Sequence, residues 1–187
     1  NACLCESIRH MQVKTEIIVL QHPSEVDHAK NSVRLMQLVI PETKVYVGET
    51  EADFAELTAY LATAEKPIYL VYPSESSVLA DNSSLDEEVI LLLLDGSWKK
   101  AYKLMQLNPW LQALTALHLE LESASNYTIR KASRSDSLST LEASAMMLKV
   151  IEPSKDVTPL TDALAALVAL RLAAMPAEVR ARYQQTK

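Results

Sequence analysis

The sequence predicts an α/β fold, a mainly parallel sheet of about five strands flanked by helices. Short β-branched runs alternate along the chain with stretches of helical spacing. The run EVILLLL at 88–94 is apolar on both faces, the pattern of a central parallel strand. With 187 residues, no internal repeat and no long linker, the chain reads as a single domain over 1–187.

The elements follow in order. Residues 15–21 (TEIIVLQ) are β-branched and read as a buried strand that Pro23 terminates. Residues 30–39 carry Val33, Leu35, Met36, Leu38 and Val39 and read as a helix ended by Pro41. Residues 43–47 alternate as a strand and Gly48 turns the chain. Residues 52–64 place Phe54, Leu57, Tyr60 and Leu61 at helical spacing. Residues 67–72 (PIYLVY) form a strand, and Pro73 to Ser84 is a polar, serine-rich loop.

After the 88–94 strand, Asp95 and Gly96 end the extended run, and Ser97 can N-cap a helix to about Leu107, which Pro109 stops. Residues 116–121 (ALHLEL) alternate as a strand, and 123–137 form a polar, basic loop. Ser139 and Glu142 make a capping box for a helix to about Ile151. A last helix, rich in Ala and Leu, covers 158–175 before Pro176 and a basic tail.

Composition narrows the function. Hydrophobic residues make up 49% and charged residues 22%, a globular balance. The two glycines, Gly48 and Gly96, exclude both a G-x-G-x-x-G dinucleotide turn and a Walker A loop. A net charge of -6 excludes a non-specific DNA coater. The charge is uneven: 42–57 is acidic, whereas 99–134 carries Lys99, Lys100, Lys103, Arg130, Lys131 and Arg134 and can meet phosphates. Two cysteines, Cys3 and Cys5, exclude a disulfide framework and suggest a reducing compartment. No apolar run reaches the roughly 18 residues of a membrane span, and a cytoplasmic protein with no membrane partner is expected. The chain starts at Asn1 rather than Met, so upstream residues are expected to be missing. Nothing in it signals an oligomeric state.

Asp95 is the best-placed candidate for chemistry, because ligands of open parallel sheets bind outside the carboxyl ends of strands. A purely structural role, capping the helix that follows, is equally compatible with its position. Trp98 reads on composition as a core anchor. The loop beginning at Pro73 and Ser74 emerges at the same sheet edge if the strands are parallel. Ser139 opens a helix whose first amides suit a carboxylate. His22, His28 and His118 have no metal-ligand spacing, and no G-x-S-x-G elbow exists for a serine hydrolase. Cys3 and Cys5 supply two ligands at most, and a structural zinc takes roughly four.

Together these residues resemble the DTW-domain family, named for an Asp-x-Thr-Trp motif at the end of an apolar strand. It stands here as Asp95-Gly96-Ser97-Trp98, with Ser for Thr, followed by Lys99, Lys100 and Ala101. The resemblance extends in order through Gln21-His22-Pro23-Ser24-Glu25, Asn31-Ser32-Val33-Arg34-Leu35, Tyr72-Pro73-Ser74-Glu75, Asn108-Pro109-Trp110, Ile129-Arg130-Lys131 and Leu138-Ser139-Thr140-Leu141-Glu142-Ala143. Family members often carry further cysteines before the C-x-C, so residues 1–14 read as the remnant of a cysteine-containing segment. Cys3 and Cys5 are then remnant zinc ligands, and no metal site is expected in this chain.

The resemblance implies a SPOUT-like fold with a C-terminal knot. It implies transfer of the 3-amino-3-carboxypropyl group of S-adenosylmethionine to N3 of a uridine in tRNA, releasing methylthioadenosine. On that reading Asp95 is catalytic, as base for the N3 proton or as holder of the donor's amino group. The donor site comprises Tyr72, Pro73, Ser74, Asp95, Trp98, Ile129, Arg130, Leu138, Ser139, Thr140 and Glu142. tRNA phosphates meet Arg34, Lys99, Lys100, Lys103, Arg130, Lys131 and Arg134. Two alternatives stand beside it: a SPOUT-type RNA methyltransferase using the same donor, and a non-catalytic RNA-binding module.

Overall fold

Six parallel strands form one sheet in the order β2-β1-β5-β3-β6-β4. They are β1 (Glu16–Gln21), β2 (Lys44–Val47), β3 (Ile68–Val71), β4 (Val78–Leu79), β5 (Ile90–Asp95) and β6 (Thr115–His118). The helices are α1 (Ser32–Val39), α2 (Ala55–Ala62), α3 (Trp98–Leu107), α4 (Pro109–Gln112), α5 (Thr140–Ile151) and α6 (Thr158–Ala173). The computed structural model describes residues 4–28, 31–83, 85, 88–120, 138–176 and 178.

β1 and β5 are buried on both faces because their side chains alternate between two cores. Ile17 and Val19 of β1 and Leu91 and Leu93 of β5 pack with Met36 of α1, Leu148 of α5 and Leu160 of α6. Ile18, Leu20, Ile90 and Leu92 pack on the other face with Leu57 of α2, Leu104 of α3 and Leu111 of α4. Each such fully buried side chain contributes about 1.5–3 kcal/mol. This two-sided burial explains why a continuous apolar run, not an alternating one, marks the sheet's centre.

The connections set the site. β1 leaves through α1 over the first face to β2, whereas β5 leaves through α3 and α4 over the second face to β6. Neighbouring strands whose connections depart over opposite faces open a crevice at their carboxyl ends, the topological switch point of open parallel sheets. β1 and β5 are in register there, with Gln21 opposite Asp95.

One buried carboxylate locks the opposite edge. Glu152, 2% exposed at the end of α5, accepts the backbone N–H groups of Lys14 and Thr15 at 2.9 Å each. It thereby ties α5 to the start of β1.

Several boundaries differ from the sequence expectation. The Pro73 to Ser84 loop contains β4, whose Val78 and Leu79 pair with Leu117 and His118. Both residues are exposed, so no burial pattern marks the strand. The strand expected over 116–121 spans Thr115–His118; Leu121 lies outside the described residues. The helix expected over 52–64 begins as a 3-10 turn, Glu51–Phe54, before α2. Pro109 stops α3 as expected and also starts the short α4, where its missing N–H costs nothing. The expected knot depends on the path from β6 to α5, and 121–137 lie outside the described residues.

Candidate functional site

Asp95 is the last residue of β5 and shares the face of Leu91 and Leu93, where α1 and α5 pack. Its carboxylate is gripped from two sides. Gln21 Nε2 donates to Oδ2 at 2.8 Å, and Thr140 Oγ1 donates to Oδ1 at 2.6 Å. Gln21 also reaches Asn31 Oδ1 at 3.5 Å, and that oxygen caps α1 by accepting the Arg34 N–H at 3.1 Å. The starts of α1 and α5 therefore converge on one carboxylate at the switch point. Ser97 occupies the N-cap position of α3, and its side chain makes no capping hydrogen bond.

The capping box at α5 forms as the spacing predicts. Ser139 Oγ accepts the Glu142 N–H at 3.2 Å and Glu142 Oε2 accepts the Ser139 N–H at 2.8 Å. This leaves the amides of Thr140 and Leu141, at the N1 and N2 positions, without a partner inside the helix. They make the helix start a site for negative charge.

Beside this carboxylate a cleft of about 210 Å³ opens at the carboxyl ends of β3, β5 and β6. Leu93, Leu94 and Leu117 form its floor, Tyr72, Pro73 and Trp98 one wall, and Leu138, Ser139 and Thr140 the other. Tyr72 and Trp98 meet edge to face, with ring centroids 6.2 Å apart and planes at 62°. Burial, then the nearby Tyr102, push the Tyr72 phenol above its usual range. Gly96 belongs to the lining, and a side chain there would come within 2.9 Å of Lys100 Cβ. Its backbone can approach α3 closely only because it carries no Cβ.

Of the residues expected to bind a donor, Tyr72, Pro73, Trp98, Leu138, Ser139 and Thr140 border this one cleft. Ser74 engages its own loop instead, donating its N–H to Ser77 Oγ at 2.9 Å. Glu142 serves the capping box, and Asp95 adjoins the cleft through Thr140, a lining residue whose hydroxyl it accepts. Ile129, Arg130, Lys131 and Arg134 lie outside the described residues, as does Cys3. Cys5 is exposed in a 3-10 turn, and no cluster of three potential metal ligands occurs among the described residues.

The lysines expected to face RNA differ in environment. Lys99 is exposed, as is Arg34 on α1. Lys100 pairs with Glu25 at 2.6 Å and Lys103 with Glu49 at 2.8 Å. Glu49 also meets His22 Nε2 at 2.7 Å. His22 Nδ1 accepts the Ser24 N–H at 3.2 Å, which leaves Nε2 as the protonated nitrogen. Hydrogen bonds from Lys103 and then His22 hold the Glu49 carboxyl below the usual carboxylate range.

Sequence reasoning missed the grip of Gln21 and Thr140 on Asp95. A polar residue closing an otherwise apolar strand, as Gln21 does, was the available signal. His118 borders the cleft and holds Ser77 Oγ at 3.0 Å.

An all-parallel open sheet with a mainly apolar cleft beside its switch point is the architecture of a doubly wound α/β protein, the class in which ligands bind at this edge. Within that class the chain belongs to the DTW domain family, which matches residues 1–172. A Drosophila melanogaster protein named tRNA-uridine aminocarboxypropyltransferase 2 is 31% identical over 158 residues, covering 80% of this chain and 62% of that one. Its Mus musculus namesake is 25% identical over 159 residues, covering 81% of this chain and 53% of its own length. The chain thus matches between about half and three fifths of these relatives' length. No solved structure matches it significantly. Among the described residues, no helix is long and apolar enough to cross a membrane.

Proposed function

We propose that this chain transfers the 3-amino-3-carboxypropyl group of S-adenosylmethionine to N3 of a uridine in tRNA. The observation that carries this reading is the apposition of an apolar cleft, a fixed carboxylate and a helix start at one sheet edge. The relatives' names supply the reaction class.

The residues present suit the donor. Leu93, Leu117 and Pro73 offer apolar surface to a nucleoside. About 210 Å³ falls below the roughly 300–1,000 Å³ of a pocket that encloses a whole drug-sized ligand. The cleft would take the nucleoside half, leaving the amino-acid tail for the start of α5. There Asp95 complements an ammonium, and the Thr140 and Leu141 amides complement a carboxylate. When bound, the donor supplies a sulfonium, an activated leaving group whose carbon–sulfur bond breaks as the carbon–nitrogen bond to uridine forms.

The chain's own part is positioning. Gln21 and Thr140 hold the Asp95 carboxylate in one orientation, and the helix start fixes the tail so that its terminal methylene faces the acceptor. The N3 proton must leave during transfer. A carboxylate at this edge is the group to receive it if the donor's amino group does not occupy it.

The test is incubation of the protein with S-adenosylmethionine and unmodified tRNA, followed by nucleoside mass spectrometry. Aminocarboxypropyl-uridine and methylthioadenosine are expected in equal amounts. Methyluridine with S-adenosylhomocysteine would instead make the protein a methyltransferase. RNA binding with no donor binding would make it a non-catalytic module.

A further inference from the structure

We infer that Tyr102 is the stacking surface for the acceptor base: an unstacked pyrimidine lies against its ring at the cleft mouth, with Lys99 taking an adjacent phosphate. This rests on the proposed function for its meaning, but its test reads RNA binding alone.

The geometry begins with α3. Trp98 and Ala101 on this helix line the cleft, and Ala101 and Leu104 are buried. Tyr102 follows Trp98 by four residues, one turn farther along the same side of the helix. Yet its side chain is 59% exposed, the highest value among the exposed large hydrophobic residues described. A single exposed apolar side chain needs no explanation. Tyr102 is not isolated, however. Trp98 touches Tyr72 edge to face, and Tyr102 lies close enough to Tyr72 to perturb its phenol. Two rings thus line the cleft, and a third, open to solvent, stands one helical turn beyond Trp98.

Chemistry supplies the occupant. Uridine N3 lies on the pairing edge, so an enzyme acting there needs the base unpaired, and bringing it into a cleft takes it out of the stack. An extruded base needs a flat partner that tolerates its π-face, and aromatic side chains provide it. Lys99 is exposed one turn before Tyr102, at the spacing that puts both on one face. A cation beside a stacking ring is the usual composition of single-strand RNA sites. An apolar peptide would find a lysine at the edge of its patch, whereas a nucleotide uses both groups.

The probe is a fluorescein-labelled oligouridine, titrated with the wild-type chain and with Tyr102→Phe, Tyr102→Leu and Tyr102→Ala, reading anisotropy. Tyr102→Phe should bind within about twofold of wild type. Leu and Ala should each lose about tenfold, or 1.4 kcal/mol. S-adenosylmethionine affinity, measured by equilibrium dialysis, should not change in any variant. Equal affinity of wild type and Tyr102→Ala overturns the inference. So does equal affinity of the Phe and Leu variants, which would make the contact merely apolar, or no oligouridine binding by the wild type. The two readings fail separately: loss of the transfer product from wild type strikes the proposed reaction, and an unchanged Tyr102→Ala titration strikes only the stacking role.

Discussion

Gln21 and Asp95 close neighbouring strands in register, and Gln21 Nε2 donates to Asp95 Oδ2 at 2.8 Å. A strand-end carboxylate thus has a fixed orientation before any ligand arrives. Thr140, 45 residues further along the chain, completes the grip at 2.6 Å.

Asp95→Ala should reduce transfer at least about 100-fold while the protein stays folded, because the carboxylate sits at an edge rather than in either core. Thr140→Val keeps the side-chain shape and removes one donor. It should lower the rate less than Asp95→Ala and cost about 1 kcal/mol of stability. Steady-state kinetics and thermal melts separate the two effects. Near-normal transfer by Asp95→Ala would sink the catalytic assignment.

Glu152 is the strongest stability prediction. Replacing it by Ala removes the acceptor shared by the Lys14 and Thr15 N–H groups, the second of them on a buried residue. The expected loss is about 1–3 kcal/mol in urea unfolding, with no change in donor affinity. Glu152→Gln should recover much of that loss, since a carboxamide oxygen also accepts.

Acid should destabilise the protein partly through Glu16. Burial alone would raise its carboxyl, but hydrogen bonds from Lys44 and Tyr60 outweigh burial and the net shift is downward from 4.5. A depressed folded value means the stabilisation is fully present above the unfolded value and is lost as pH falls through the folded one. Between pH 6 and 3, denaturant melts of wild type should therefore fall more steeply than those of Glu16→Gln. Parallel curves would remove Glu16 from the acid transition.

Charge balance at the α3 rim is also testable. Glu25 and Glu49 neutralise Lys100 and Lys103. Glu25→Gln with Glu49→Gln should release both lysines, raise tRNA affinity and steepen its dependence on salt by up to about two phosphate contacts. An unchanged slope of log affinity against log salt would mean that these lysines do not face RNA.

What the sequence by itself determined is local or periodic. The apolar run at 90–94 demands burial on both faces, and so a central parallel strand. Ser139 and Glu142 need only three residues of spacing to form their box, and it forms. Asp95 was legible as a candidate because a carboxylate ending such a strand must lie at the ligand edge. The tertiary structure decided the rest, because those contacts join residues far apart in the chain. Gln21 and Thr140 meet Asp95 only after β1 pairs with β5 and α5 packs on the first face. β4 exists only as a partner for β6, with no burial pattern of its own. By sequence the lysines of α3 can meet phosphates, but folding brings Glu25 and Glu49 against two of them. Charge counted along a sequence carries no information about which opposite charge the fold will place beside it.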